Sequence, residues 1–206
     1  IPSNVDILNE SRFYPYKKKL AFLPQGYKRS LKNKSISSQA DKIIEAIKNE
    51  TRKVIIYAGN ISNSMFLDEF SDGVESFKDE ICFYIVGDGS LKKQISNKKL
   101  SGTYIFEFVP RNEIVEVIGE ADFAYIGRET NLQTEIVSKV IPGKFALYCL
   151  AKTPIISLSS GYLNAFINKS MVGISSSSVK KEDISNLLKE SLVLDNDKVD
   201  SMKRNQ

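Results

Sequence analysis

The sequence predicts an α/β domain: a parallel sheet with helices on both faces. Three observations carry the prediction. Short β-branched or aromatic runs recur from Lys53 onward, as expected for strands buried on both faces. Helix-like stretches separate these runs with little slack, so the chain repeats β-α units. Finally, the strand runs give way to polar or glycine-containing loops that lead into the next helix. In such a Rossmann-like sheet ligands bind at the carboxyl ends of the strands, so those loops are where function is sought.

In chain order, Leu20–Pro24 has the composition of an edge strand. Ser38–Asn49 reads as an amphipathic helix with Ile43, Ile44 and Ile47 on one face. Strands are expected at Val54–Ala58, Ile81–Val86, Tyr104–Phe106, Phe123–Ile126, Pro154–Ser157 and Met171–Ile174. Helices are expected at Phe66–Phe77, Leu91–Asn97, Asn112–Glu120, Gly143–Ala151, Tyr162–Asn168 and Lys181–Leu194. Ser175–Ser178 reads as a loop. Residues 1–52 form a basic lead-in and residues 53–206 a Rossmann-like domain.

Composition narrows the chemistry. The chain has 206 residues, 42% hydrophobic and 26% charged, which suits an ordinary globular domain. No apolar run approaches the ~20 residues that span a bilayer. It starts at Ile1, with no signal-peptide pattern, and we expect a fragment of a longer protein. Histidine is absent, which removes a Ser-His-Asp triad, a Cys-His pair and any His-ligated metal. No metal site and no cofactor are expected. Cys82 and Cys149 sit in apolar patterns and read as core thiols of a reducing compartment, consistent with a cytoplasmic location. Net charge is +4, and the segment Ser11–Ala40 holds eight basic residues and no acid. A solvated linker is the simplest account of it. Phe13, Tyr14 and Tyr16 beside Lys17–Lys19 would also suit a peripheral contact with an acidic membrane surface. A nucleic-acid role has no recognisable motif behind it.

Five loops are candidates for binding. In the first, Ala58–Ser64, Gly59 permits close backbone approach, Asn60 tolerates left-handed conformations, and Asn63 or Ser64 could cap the next helix. The second, Val86–Ser90, resembles the start of a dinucleotide fingerprint, with Glu107 placed as a ribose-binding acid; the third glycine is missing, and Lys92 stands there. A tight structural turn is the alternative. The third, Phe108–Glu113, has Pro110 to fix the backbone and Asn112 as a helix cap. The fourth, Gly127–Glu135, is long and polar and carries Arg128, Glu129 and Glu135, which could hold sugar hydroxyls or a diphosphate. The fifth runs Ile141-Pro142-Gly143-Lys144. Pro142 suits the first helical position, which puts Lys144 in the first turn. A cation there opposes the partial positive charge of the helix N-terminus, and a bound phosphate would remove that penalty. Ser159-Ser160-Gly161 opens a further helix with small residues.

The order of these pieces resembles the C-terminal, donor-binding half of GT-B-fold glycosyltransferases. The resemblance covers the chain from Lys53 onward. It rests on the strand-Gly59 turn, Ile85-Val86-Gly87-Asp88-Gly89, Phe108-Val109-Pro110, Ala121-Asp122, and above all Pro142-x-Lys144…Tyr148-x-x-Ala151-x-x-Pro154-Ile155-Ile156. The stretch Tyr57–Leu67 is closer to bacterial adhesin glucosyltransferases and galactofuranosyltransferase-like proteins.

The resemblance implies a glycosyltransferase whose substrate is a uridine-diphosphate sugar, in bacterial surface polysaccharide or glycoprotein synthesis. Gly59 and Asn60 would lie near the diphosphate; Val109, Pro110 and Arg111 would frame the base; Lys144, with the amides of Gly143 and its neighbours, would bind phosphate, with Tyr148 behind it. Arg128 and Glu129 complete the candidate donor site. The N-terminal acceptor domain of such an enzyme is missing, so this chain alone is expected to transfer nothing. Two departures stand out. Many members carry glutamates where this chain has Lys139 and Leu147, and basic residues where it has Asn60 and Asn63. The alternative is therefore a non-catalytic Rossmann-like nucleotide-binding or interaction module.

Overall fold

The computed structural model describes residues 37–128 and 141–206. The sequence-predicted edge strand at 20–24, the basic lead-in before residue 37, Glu129, Glu135 and Lys139 lie outside the described residues. In chain order the elements are α1 (Ser38–Lys48), β1 (Lys53–Ala58), α2 (Leu67–Glu75), β2 (Ile81–Val86), α3 (Lys92–Asn97), β3 (Thr103–Phe106), α4 (Ile114–Gly119), β4 (Phe123–Arg128), α5 (Gly143–Ala151), β5 (Ile155–Ser159), α6 (Tyr162–Ser170), β6 (Gly173–Ser176), α7 (Lys181–Val193) and α8 (Asn196–Arg204).

Six strands form one sheet in the order β3-β2-β1-β4-β5-β6, and every neighbouring pair is parallel. The strands alternate side chains between two cores, because successive residues of a strand point to opposite faces. Val54, Ile56 and Ala58 of β1 enter one core with Ile43 and Ile47 of α1, Val117 of α4 and Tyr148 of α5. Ile55 and Tyr57 enter the other with Phe70 of α2, Ile95 of α3 and Leu187 of α7. The expected α1 stripe is thus observed: Ile43 and Ile47 are buried and Ile44 packs against the same core.

Most boundaries fall within two residues of expectation, with physical reasons for the exceptions. Capping differs in three places. Neither Asn63 nor Ser64 caps α2; they form a 3-10 turn (Asn63–Met65), and Phe66 enters the helix from the left-handed region at φ 50°. Asn112 caps nothing, because Pro110 already closes a turn whose carbonyl accepts the amides of Glu113 and Ile114, delaying α4 to Ile114. Pro142 is the residue before the first helical turn of α5, with an extended ψ of 146°. Gly127 and Arg128 belong to β4, because pairing with β5 continues through Arg128↔Ser159. Likewise Ser175 and Ser176 belong to β6, held by β5.

At the amino-end edge of the sheet Arg52 ties three segments together. It pairs with Glu50 at 2.6 Å and donates to the Lys78 carbonyl at 2.8 Å and the Tyr104 hydroxyl at 3.0 Å. The Arg52 hydrogen bond holds the Glu50 carboxyl down at about 2. For a carboxylate lowered on folding, the stabilisation is full above the ordinary glutamate range near ~4.3 and is lost as pH falls through the folded value. We therefore expect the urea midpoint of wild type to exceed that of Glu50→Gln at neutral pH, and the gap to close as pH falls toward about 2.

Candidate functional site

From β1 the chain winds through β2 to β3 at one edge, then returns to β4 and winds through β5 to β6 at the other. β1 and β4 are therefore the neighbours whose following loops leave in opposite directions, and the crevice between their carboxyl ends is the expected ligand site of an open α/β sheet. Here the two strands pair over Ile55↔Phe123 and Ile56↔Ala124, whereas β1 stays paired with β2 through Ala58↔Val86. Their carboxyl ends part, and the loop after β1 fills the gap. The Tyr125 hydroxyl donates to the Met65 carbonyl at 3.1 Å. Gly127 admits that carbonyl, because a Cβ at 127 would lie 1.7 Å from the Met65 oxygen.

Three segments enclose a cavity of about 250 Å³ at this crevice: Ser64 and Met65 from the loop after β1, Ile126 to Arg128 from the end of β4, and Pro142 and Lys144 from the start of α5. Lys144 is half-buried and reaches back across the end of β1. A Cβ at Gly59 would fall 2.9 Å from Lys144 Cε and 3.0 Å from Nζ, so the absent side chain at 59 is what makes room for the lysine. Its ammonium lies 4.9 Å from the centre of the Tyr57 ring and donates to Met65 Sδ at 3.9 Å. Burial lowers the Lys144 pKa, and the like charge of Arg128 lowers it further. Burial also lowers that of Arg128. Among the described residues no carboxylate pairs with Lys144. The crevice therefore concentrates desolvated positive charge beside a helix N-terminus, an arrangement that stabilises a bound anion.

The other sequence-predicted residues divide into two groups. Gly143 is the first residue of α5, beside Lys144. Tyr148 is wholly buried one turn further on, and its hydroxyl accepts the Ala58 amide at 3.2 Å, so it braces the end of β1 from within the core. Asn60 is exposed; its carbonyl accepts the Tyr57 hydroxyl. Arg128 lines the crevice and Gly143 adjoins it, whereas Tyr148 lies beneath in the core and the Asn60 side chain faces Gly89 of the second loop. Val109, Pro110 and Arg111 follow β3, two strands away on the same sheet edge, with Val109 buried and Arg111 exposed.

The second loop does not form a dinucleotide cradle. Gly87 and Gly89 accommodate the neighbouring loop, since Cβ atoms there would fall 2.0 Å from the Gly59 carbonyl oxygen and 2.3 Å from that of Ile61. Glu107 is exposed and bound to Lys92 at 2.8 Å, the residue standing where the fingerprint needs glycine. At β5, Ser159 is buried with its hydroxyl 2.7 Å from that of Ser157. Cys82 and Cys149 pack in the core, and burial pushes both thiols up to about 12. Sequence reasoning missed Met65 and Tyr57 as neighbours of Lys144. Nothing local marks either one; a long-range approach across the sheet edge brings them there.

The sequence matches no protein-family model and no curated protein. Solved structures do match. WaaG, a glycosyltransferase involved in lipopolysaccharide biosynthesis, superposes with TM-score 0.67 at 14% identity over 97% of this chain and 54% of that one. HepE from Anabaena, in complex with UDP and glucose, gives 0.70 at 11% identity over 99% and 55%. The C-terminal domain of LpcC, a group 1 family glycosyl transferase from Francisella tularensis, gives 0.59 at 14% identity over 82% and 90%. This chain spans about half the length of the WaaG and HepE structures. At such identities the likeness establishes architecture: the chain has the fold of one Rossmann-like half of a GT-B glycosyltransferase.

Proposed function

We propose that this chain is the donor-binding half of a glycosyltransferase and that it binds a nucleoside-diphosphate sugar, most simply a UDP-sugar, across the carboxyl edge of its sheet. The observation that carries the proposal is the half-buried Lys144 ammonium at the β1/β4 crevice, beside Arg128 and without a carboxylate partner among the described residues. Lys144 would hold the diphosphate, and its positive charge would stabilise the group as it departs with the electrons of the broken glycosidic bond; the Phe145 amide expected to help already donates to the Pro142 carbonyl at 3.0 Å. The fold likeness supports this reading, and so do the UDP and UDP-sugar complexes among the similar structures.

The further domain would supply the acceptor and close the site. A bacterial pathway to surface polysaccharide or glycoprotein, at the cytoplasmic side of a membrane, is the setting we propose for the whole protein. Among the described residues no helix is long and apolar enough to cross a membrane. One observation favours a second reading, a nucleotide-binding module without catalytic competence: Leu147, where the resembling enzymes carry glutamate, is buried in the core at 7% exposure.

Titration calorimetry of the purified chain with UDP, a UDP-sugar and NAD tests the proposal. UDP and the UDP-sugar are expected to bind and NAD is not. Tight NAD binding with no response to UDP would overturn it.

A further inference from the structure

We propose that Tyr57 is the positioning residue for Lys144: its ring, in place of a carboxylate, seats the ammonium at the crevice. This inference rests on the donor-site reading above and adds the group that holds the binding lysine ready.

The two side chains come from opposite sides of the sheet. Helix α5 packs Leu147 and Tyr148 into one core, whereas Tyr57 is wholly buried in the other, beside Phe70 and Tyr125. They meet because β1 and β4 part. The last β1/β4 pair is Ile56↔Ala124, so Tyr57 is the first β1 residue beyond it, while it still pairs with Ile85 of β2. Lys144 reaches through that opening past Gly59, where a Cβ would lie 2.9 Å from its Cε. Its Nζ then stands 4.9 Å from the centre of the Tyr57 ring, inside the ~6 Å reach of cation–π attraction. The ring is held in turn. Its hydroxyl donates to the Asn60 carbonyl, and its centre lies 6.4 Å from that of Tyr125. Burial raises the pKa of that hydroxyl, so it stays a neutral donor.

A poorly solvated ammonium beside Arg128 needs an electron-rich neighbour. A carboxylate would serve, but it would cancel the charge and repel a diphosphate. The face of a ring attracts the cation and leaves its net charge available to an incoming anion. The other neighbour, Met65 Sδ at 3.9 Å, is neutral as well. A lysine on its flexible stem loses rotamer freedom when it grips a ligand. A lysine already seated on the ring has lost that freedom before the ligand arrives, which strengthens binding.

Three replacements separate the ring from the hydroxyl. Tyr57→Phe keeps the ring and removes the hydroxyl. Tyr57→pentafluorophenylalanine keeps the ring's shape and withdraws electrons from its face. Tyr57→Leu removes the ring. Calorimetry with inorganic pyrophosphate and with UDP reads the effect. Tyr57→Phe should bind both nearly as wild type does. The fluorinated variant and Tyr57→Leu should bind both more weakly than Tyr57→Phe, by about 2- to 30-fold. In proton NMR the ε-methylene of Lys144 should carry a ring-current shift in wild type and Tyr57→Phe that Tyr57→Leu abolishes. A tyrosine that only fills the core predicts that the fluorinated variant binds like Tyr57→Phe, and that result overturns the proposal even where Tyr57→Leu fails to fold. If pyrophosphate and UDP bind wild type and Lys144→Ala weakens them while the fluorinated ring does not, the donor site stands and only the role of Tyr57 is lost. If neither ligand binds wild type, the donor-site reading fails and the positioning role falls with it.

Discussion

Gly87→Ala is expected to destabilise the domain strongly. Gly87 holds φ at +149°, a region L side chains rarely adopt, and its added Cβ would fall 2.0 Å from the Gly59 carbonyl oxygen. Both neighbours are backbone, so no side-chain rotation relieves the overlap. Strain of about 1–3 kcal/mol and overpacking of about 1–3 kcal/mol act together. For a domain of this size that corresponds to a melting temperature lower by roughly 5–20 °C. Thermal unfolding followed by circular dichroism measures it directly. The variant has a second consequence, since the Gly59 segment it displaces is the one Lys144 lies against. UDP affinity should fall even at temperatures where the variant remains folded. A melting temperature equal to wild type would mean that the two loops are not packed as described.

The second large effect is on binding. Lys144→Ala should weaken UDP by roughly 10- to 150-fold, the equivalent of one charge-assisted hydrogen bond at about 1.5–3 kcal/mol. Stability should be unchanged or slightly raised, because the substitution removes a cation held in a poorly solvated place beside Arg128. That combination separates a binding lysine from a structural one.

The pH dependence follows the same physics. Burial lowers the Lys144 pKa in the empty protein, so between that value and the ordinary lysine range the unfolded chain binds more protons than the folded one. Stability contributed through this group therefore rises with pH across that window. Binding runs the opposite way. A diphosphate beside the ammonium favours the charged form, so UDP affinity should fall as pH rises through the lowered value, with proton uptake on binding. Calorimetry in buffers of different ionisation enthalpy reads that uptake. Its absence, together with unaltered affinity in Lys144→Ala, would remove Lys144 from the site.

Much of this was written locally in the chain. The strand Ile81–Val86 and the helix Gly143–Ala151 are predicted with the boundaries observed, because a run of β-branched and aromatic residues favours a buried strand and Pro142 marks where the apolar helical stretch begins. The strand ends that lead into the loops chosen for function lie on one sheet edge, since parallel β-α repetition forces every strand's carboxyl end to the same side. The misassigned caps share a cause. Asn63, Ser64 and Asn112 are suitable capping residues by type, but the tight turn at Pro110 and the left-handed entry at Phe66 set where the helices begin. Helix α8 (Asn196–Arg204) had no apolar stripe strong enough to announce it; it is seen only because Val199 and Met202 pack against a core already formed.

The sequence by itself determined the repeating β-α order and the lysine in the first turn of α5. These are consequences of period, propensity and spacing, which are properties of neighbours in the chain. The tertiary structure decided that Lys144 lies over Gly59 rather than in solvent, that Tyr148 braces the end of β1, and that Gly87 serves the adjoining loop rather than a dinucleotide. Those outcomes depend on which strands become neighbours and on where β1 and β4 part. Residues some 80 positions apart meet there (Met65 and Lys144), and contact at that separation is set by sheet topology, which no local stretch of sequence encodes.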